Sequence, residues 1–189
     1  MSGRPLDLTP WLSSTVATLD GERPRGALNA WGNSFPAEEL PFGSTLTVGG
    51  VLFRLPPRNP GGPDSIEPLG QILTLPEARE AAGIALLCCG EMGDQRVPVR
   101  VSDGEGKTVA GFVAVARGAM VPAGTDLGEE GFAASHLHYP GDYDLALALP
   151  ALWRVAHRWE APAPVARVEL GRNPLFHLMA ITLLDPGEA

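Results

Sequence analysis

The chain has 189 residues, of which 14 are Lys or Arg and 22 are Asp or Glu, so its formal net charge is −8. An acidic chain repels phosphate backbones and anionic lipid, which argues against nucleic acid and membrane surfaces as partners. Because 44% of the residues are apolar and only 19% are charged, the chain is too hydrophobic for a disordered protein, and its length predicts one folded domain over residues 1–189.

Short segments with a two-residue hydrophobic period, each closed by Gly, Pro or Asp, predict an all-β fold. About nine strands are expected: Thr45–Leu55 (interrupted at Gly49-Gly50), Gln71–Leu75, Ile84–Cys89, Arg96–Val101, Thr108–Ala116, Tyr143–Leu149, Leu152–Trp159, Val165–Leu170 and Leu175–Leu184. Their number and spacing are typical of a single antiparallel jelly-roll β-sandwich.

Two segments between these strands carry clear signals. The segment Pro76–Gly83, PEAREAAG, has helix-forming composition, opens with Pro and closes with Gly, and so predicts one or two turns of helix. The pair Asp103-Gly104 lies between two predicted strands and indicates a hairpin turn, because Gly accepts the positive φ that such turns require.

Alternation also predicts which side chains face the core. In the strand Tyr143–Leu149 the odd positions are large and apolar and the even ones small, so the odd positions are expected to point inward. In Leu175–Leu184 both faces are apolar, which predicts a central strand that encloses His177 as a core histidine.

The two cysteines, Cys88 and Cys89, are adjacent, and neighbours in a strand point to opposite faces. A disulfide between them would be strained, so we expect two reduced, buried thiols.

The N-terminus shows no secretory signal, and no segment has the roughly 20 apolar residues of a membrane helix. These features predict a cytoplasmic protein.

Several phrases, taken in order, resemble a known family. They are LDLTPWLSS at 6–14, GNSFPAEELP at 32–41, TLTVGGVLFRLP at 45–56, GPDSIEPLGQILTLP at 62–76, LLCCGEMGDQ at 86–95, SHLHYPGDY at 135–143 and PLFHLMAITL at 174–183. Together they resemble the galactose-binding-like β-sandwich module that is often attached to bacterial glycoside hydrolases. The resemblance implies a jelly roll of two antiparallel sheets and a role in carbohydrate recognition.

A histidine pair is the main candidate for chemistry. On an extended strand His136 and His138 project to the same face, just before Tyr139 and Asp142. One interpretation is acid/base catalysis by either histidine with Tyr139 as an orienting or relaying group. A second is a metal site completed by Asp142, and a third is a solvent-accessible loop with structural histidines. No metal and no cofactor is expected from the sequence.

Aromatic side chains are the candidates for sugar binding, because a flat ring packs against the C–H groups of a pyranose while amides and carboxylates take the hydroxyls. Trp31, with Asn33 and Glu38 nearby, is the first such candidate, Asp64 is a further candidate contact, and Trp11 is a second possible platform. The remaining pair of tryptophans, Trp153 and Trp159, share a strand face that is expected to belong to the core.

Three functions follow as hypotheses. The first is a protein that binds a sugar or glycosylated small molecule. The second is a stand-alone enzyme of a specialised biosynthetic pathway, which uses His136 and His138 for cyclisation, isomerisation or elimination. The third is an accessory subunit that docks on another chain or on a second copy of itself. Signatures of a serine nucleophile, a phosphate loop and an HExxH zinc site are missing from the sequence.

Overall fold

The computed structural model describes residues 3–141 and 143–186, and within them the chain is almost entirely β-structure. The strands are β1 (Gly3–Pro5), β2 (Ala17–Thr18), β3 (Phe35–Pro36), β4 (Thr45–Val48), β5 (Val51–Arg54), β6 (Ile72–Gly90), β7 (Gln95–Ser102), β8 (Thr108–Ala116), β9 (Met120–Pro122), β10 (Gly131–Ala133), β11 (Leu137–His138), β12 (Asp144–Leu145), β13 (Ala148–Leu170) and β14 (Phe176–Leu184). Short 3-10 helices span Thr9–Trp11, Asp20–Arg25, Ala37–Glu39 and Gly128–Glu130. The all-β fold expected from the sequence is confirmed.

The main sheet has eight strands in the order β1-β14-β6-β13-β7-β8, and the short strands β9 and β10 also pair with β13. All of its ladders are antiparallel. The two longest strands, β6 and β13, form a ribbon with register shifts between Arg158 and Ala163 and between Val165 and Arg167. Such irregularities bend a sheet. This ribbon joins the β14 side of the sheet to the β7–β8 side.

Two hydrophobic cores lie on opposite faces of this sheet. Alternation along β6 sends Ile84, Leu86 and Cys88 into the first core, together with buried residues of β7, β8 and the end of β13. The same alternation sends Leu87 and Cys89 into the second core, together with residues of β3, β4, β5 and β11. Every residue of β14 is buried, as predicted for a strand covered on both faces.

The predicted helix at Pro76–Gly83 is wrong, because these residues lie inside the single strand β6. Ala81 pairs with Ala163, and Arg79 pairs with Val165, across the ribbon. Ladder hydrogen bonds with β13 outweigh a helix propensity that amounts to only a few tenths of a kcal/mol per residue. The expected strand break therefore disappears, and the strands predicted at Gln71–Leu75 and Ile84–Cys89 merge into β6, which begins at Ile72.

The predicted inward face of Tyr143–Leu149 is also wrong. Tyr143 is 58% exposed and Leu147 is 78% exposed. The structure contains only the two-residue strand β12 here, followed by a bend at Ala146–Leu147 before β13 begins. Alternating large and small side chains predict a buried face only where the strand is continuous. Because the chain bends at Ala146–Leu147, the odd positions do not all point to one face.

The turn predicted at Asp103-Gly104 joins β7 to β8, but the positive φ lies at Gly106 and not at Gly104. The interruption predicted at Gly49-Gly50 is a hairpin turn. Val48 and Val51 pair across the hairpin of β4 and β5, and Gly49 and Gly50 between them both have positive φ, 57° and 71°. A two-residue turn with positive φ at both positions follows the right-handed twist of the strands.

Among the described residues, no helix is both long enough and apolar enough to cross a membrane.

Candidate functional site

A group of polar side chains converges beside the second core, and we call it the acidic histidine cluster: Asp20, Glu38, His136, His138 and Asp144. It contains two sets of potential ligand atoms, one from His136, His138 and Asp144 and one from Asp20, Glu38 and His138. Within each set, the atoms lie within 4.8 Å of one another. His138 belongs to both sets and is the centre of the cluster.

The strand β11 is held on both sides, and this places His138. Its backbone pairs with Asp144 of β12 on one side. On the other side, its N–H donates to the Ser34 carbonyl at 3.0 Å and its carbonyl accepts from the Ser34 N–H at 3.1 Å. Leu137 points into the second core, so His136 and His138 share the opposite face, with ring centroids 5.1 Å apart. The same-face arrangement follows from the two-residue spacing.

His138 is only 1% exposed, yet one of its ring nitrogens has no partner. Its Nδ1 shares a hydrogen bond with Thr18 Oγ1 at 3.2 Å, and that hydroxyl lies 2.6 Å from Ser34 Oγ. Its Nε2 makes no hydrogen bond and lies 3.7 Å from Asp20 Oδ1. Burial, assisted by the Arg23 charge, lowers the pKa of His138. The imidazole is therefore neutral at pH 7.

His136 is more exposed and is oriented by Glu39. Its Nδ1 lies 2.9 Å from Ser135 Oγ and 3.3 Å from Glu39 Oε1. The same carboxylate accepts the Ser135 N–H at 2.7 Å and the Ser135 hydroxyl at 2.5 Å. The other ring nitrogen, Nε2, faces Asp144 Oδ1 at 4.0 Å. Both histidines thus use Nδ1 for support and turn Nε2 toward carboxylates.

A buried guanidinium links two of the carboxylates. Arg23 Nη1 lies 2.7 Å from Asp144 Oδ1, and Nη2 lies 2.6 Å from Asp20 Oδ1. Nη1 also donates to the Tyr143 carbonyl at 3.1 Å. Hydrogen bonding to Asp20 raises the pKa of Arg23, and the same bond lowers the pKa of Asp20. Both groups are charged at neutral pH, so Asp20 presents a carboxylate anion to His138.

Tyr139 lies at the margin of the cluster. Its ring meets the Tyr143 ring edge-on at 5.6 Å and packs on the second core. Within the described part of the chain, no hydrogen bond joins its hydroxyl to His136 or His138. Asp142, the carboxylate expected to complete a metal site, lies outside the described residues.

The four candidate sugar-binding residues have different surroundings. Trp31 is 55% exposed, and Glu38 is exposed within the cluster. Asn33 is buried and its Nδ2 donates to the His138 carbonyl at 3.3 Å, so it supports β11. Asp64 is 4% exposed and accepts the N–H groups of Val16 and Ala17.

The other tryptophans lie away from the cluster. The shared strand face expected for Trp153 and Trp159 is wrong, because Trp153 packs in the second core and Trp159 packs against the first. Their indole N–H groups donate to the carbonyls of Gly118 and Ala81. Trp11 lines a surface cavity of about 380 Å³. The cluster itself lies at the surface and presents exposed carboxylates to solvent.

Three members of the site were not predicted from the sequence: Asp20, Arg23 and Asp144. Asp144 carried a usable signal, because Pro140-Gly141 is a turn signal that would place the following residues opposite His138 in a hairpin. Asp20 and Arg23 carried none, since only the tertiary fold brings their 3-10 helix to β11.

A family model described as the AziU2-like β-sandwich domain matches residues 3–186. The chain belongs to this family. Of the resemblance found in the sequence, the match supports the β-sandwich. No curated protein matches the sequence. The acidic histidine cluster of this AziU2-like domain lies within the matched range, as do all the strands described above.

Proposed function

We propose that this AziU2-like domain is an enzyme of a small-molecule biosynthetic pathway and that the acidic histidine cluster is where its substrate binds and reacts. The observation that carries the proposal is the gathering of two histidines and three carboxylates in two overlapping sets that share the buried ring of His138. Membership in the AziU2-like family supports a biosynthetic role over a glycosidase-tethering one.

The chemistry of the side chains limits the reaction class. Imidazole and carboxylate groups move protons, which is what eliminations, isomerisations and cyclisations require. The cluster has three carboxylates, and Arg23 pairs with two of them, Asp20 and Asp144, so it keeps an excess of negative charge and favours a cationic or hydroxyl-rich substrate. Glu39 and Ser135 hold the His136 ring in place before a substrate arrives.

A genetic experiment tests this function without knowledge of the substrate. The host strain lacking this gene is complemented with the wild-type chain or with the double variant His136→Ala, His138→Ala, and small molecules are compared by mass spectrometry. We expect the double variant to accumulate the same precursor as the deletion strain. The matched control is His157→Ala, whose ring stacks on Phe112 at 4.4 Å away from the cluster. Full product formation by the double variant would refute the proposal.

Carbohydrate recognition is a second candidate function, and the exposed Trp31 ring favours it. The next residue, Gly32, lies against Pro140, so the Trp31 loop adjoins the loop that follows β11. A sugar stacked on Trp31 would have the Glu38 carboxylate as an acceptor for its hydroxyls. Calorimetry with a panel of mono- and oligosaccharides tests this, and heat that disappears in Trp31→Ala is the expected result.

Docking on another chain is the third candidate, and the outer face of β8 favours it. Val113 is 55% exposed and Val115 is 38% exposed on this edge strand. Paired apolar side chains on an open edge are a common feature of protein interfaces. Sedimentation of the purified chain, compared with Val113→Lys, tests a homodimer through this face.

A further inference from the structure

We infer that the acidic histidine cluster binds one divalent transition-metal cation, with His138 Nε2 as the central ligand. His136 Nε2 and the Asp144 carboxylate complete one side of the site, and Asp20 and Glu38 provide carboxylate oxygens on the other. This inference goes beyond the proposed enzyme function, because ion binding is measured without any substrate.

The unpartnered nitrogen of His138 is the first observation. A buried polar atom without a hydrogen bond costs on the order of 1–3 kcal/mol, so proteins rarely leave one. In His138 the buried Nε2 faces Asp20 rather than an apolar wall. A cation between this nitrogen and the carboxylate would satisfy both groups.

The orientation of the rings is the second observation. Metal-binding histidines hold the ring through the nitrogen that does not bind the metal, which fixes the tautomer and turns the free lone pair toward the ion. His138 does this through Nδ1 and Thr18, and His136 does it through Nδ1 and Glu39. In each ring Nδ1 is thereby engaged, and Nε2 is the nitrogen that faces the carboxylates.

Charge is the third observation. Asp20, Glu38 and Asp144 are three acidic groups, and Arg23 is the one cation paired with them among the described residues. Three carboxylates against one guanidinium leave excess negative charge in the cluster, and a dication compensates it. Arg23 competes for the same oxygens, so ion binding draws Asp20 or Asp144 away from the guanidinium.

The ligand atoms of each set lie within 4.8 Å of one another and must contract around an ion, and two of the pairs are already close. Ligand bonds to Zn²⁺ of about 2.0–2.2 Å place neighbouring ligand atoms roughly 3.3–3.5 Å apart in a tetrahedral site. The corresponding separations are 3.7 Å for His138 Nε2 and Asp20 Oδ1 and 4.0 Å for His136 Nε2 and Asp144 Oδ1. Asp20 is exposed and can move toward the ion. Mixed imidazole and carboxylate ligands suit Zn²⁺, Fe²⁺ and Mn²⁺ better than Ca²⁺.

The test is calorimetric titration of the full chain, without an affinity tag and freed of metal by EDTA, with ZnCl₂ and with MnCl₂. We expect one ion per chain and an affinity at least about 10-fold lower in His136→Gln and in Asp144→Asn. Both positions are partly exposed, so these variants avoid the buried ring of His138. The control His157→Gln keeps the affinity of the wild type.

Visible absorption of the Co²⁺-loaded chain reports the ligands directly. A ligand-field spectrum that changes in His136→Gln and not in His157→Gln supports the site. Absence of binding by the wild type, or binding that His136→Gln and Asp144→Asn leave unchanged, overturns it. If the wild type binds the ion but the double histidine variant makes the same metabolites as the wild type, the proposed function is refuted and the metal site stands. If the double variant loses product formation but the wild type binds no ion, the metal site is refuted and the proposed function stands.

Discussion

The Nε2 atom of His138 lies 3.7 Å from the Oδ1 atom of Asp20, although the two residues are far apart in the sequence. The contact exists because the 3-10 helix Asp20–Arg25 lies beside the hairpin of β11 and β12. Arg23 pairs with Asp20 within that helix and joins the helix to the hairpin through Asp144 and the Tyr143 carbonyl. The positions of the two carboxylates Asp20 and Asp144 therefore depend on one buried guanidinium.

Replacement of Arg23 by Met should destabilise the protein. The variant keeps much of the apolar stem but removes the ion pairs and the hydrogen bond to the Tyr143 carbonyl. We expect the free energy of unfolding to fall by about 1–3 kcal/mol, measured by urea denaturation. The exposed Arg158 is the control, since Arg158→Met should change stability by less than about 0.5 kcal/mol. Equal stability of the two variants would show that Arg23 does not hold the cluster.

The buried carboxyl of Asp64 should make stability depend on pH. Burial raises the pKa of Asp64 from 3.8 to about 7, despite the hydrogen bonds from Val16 and Ala17 that lower it. The folded state therefore binds a proton more tightly than the unfolded state, so this group's contribution is complete below about pH 4. It is lost as the pH rises toward 7, by on the order of 4 kcal/mol at most.

The variant Asp64→Asn isolates that contribution. Asn has one acceptor oxygen, so either Val16 or Ala17 loses its partner, and we expect a loss of about 1–3 kcal/mol at pH 5. The difference from the wild type should shrink between pH 5 and pH 8 in urea denaturation. The control Glu105→Gln, at an exposed turn, should show a constant difference. If the difference in the free energy of unfolding between Asp64→Asn and the wild type were the same from pH 5 to pH 8, the raised pKa of Asp64 would be contradicted.

Three glycines should respond differently to Ala. Gly49 has positive φ, and an added Cβ would collide with the Arg154 side chain. Gly93 has positive φ but open space, and Gly111 has open space without positive φ. The left-handed conformation costs Ala about 1–2 kcal/mol, so Gly93→Ala should destabilise by that amount and Gly49→Ala by more. Gly111→Ala, in the strand β8, should be neutral or stabilising. Thermal unfolding of the three variants checks the order.

The two cysteines should be unreactive in the folded protein. Cys88 and Cys89 are fully buried, and burial raises the pKa of both thiols. Thiol reagents attack the thiolate, so an aromatic disulfide reagent at pH 8 should label neither cysteine until urea is added. Both should then react. Labelling of the folded chain at the rate of a free thiol would show that the centre of β6 opens readily.

Only those parts of the candidate site that depend on residues close together in the sequence could be predicted. The spacing of His136 and His138 places their rings on one face of any extended strand, and the structure has them there. Nothing near Asp20 or Arg23 in the sequence indicates that they meet β11. The helix expected at Pro76–Gly83 failed for the same reason, since its pairing partners Ala163 and Val165 lie far along the chain.

The sequence by itself determined the β-class of the fold, the interruption of the strand at Gly49-Gly50 and the doubly buried strand β14. Each of these follows from alternation or from φ preferences within a few residues. The tertiary structure alone decided that β6 and β13 run unbroken, and that Asp20 and Asp144 flank His138. Ladder hydrogen bonds and ion pairs form between distant residues, so their partners exist only once the chain has folded.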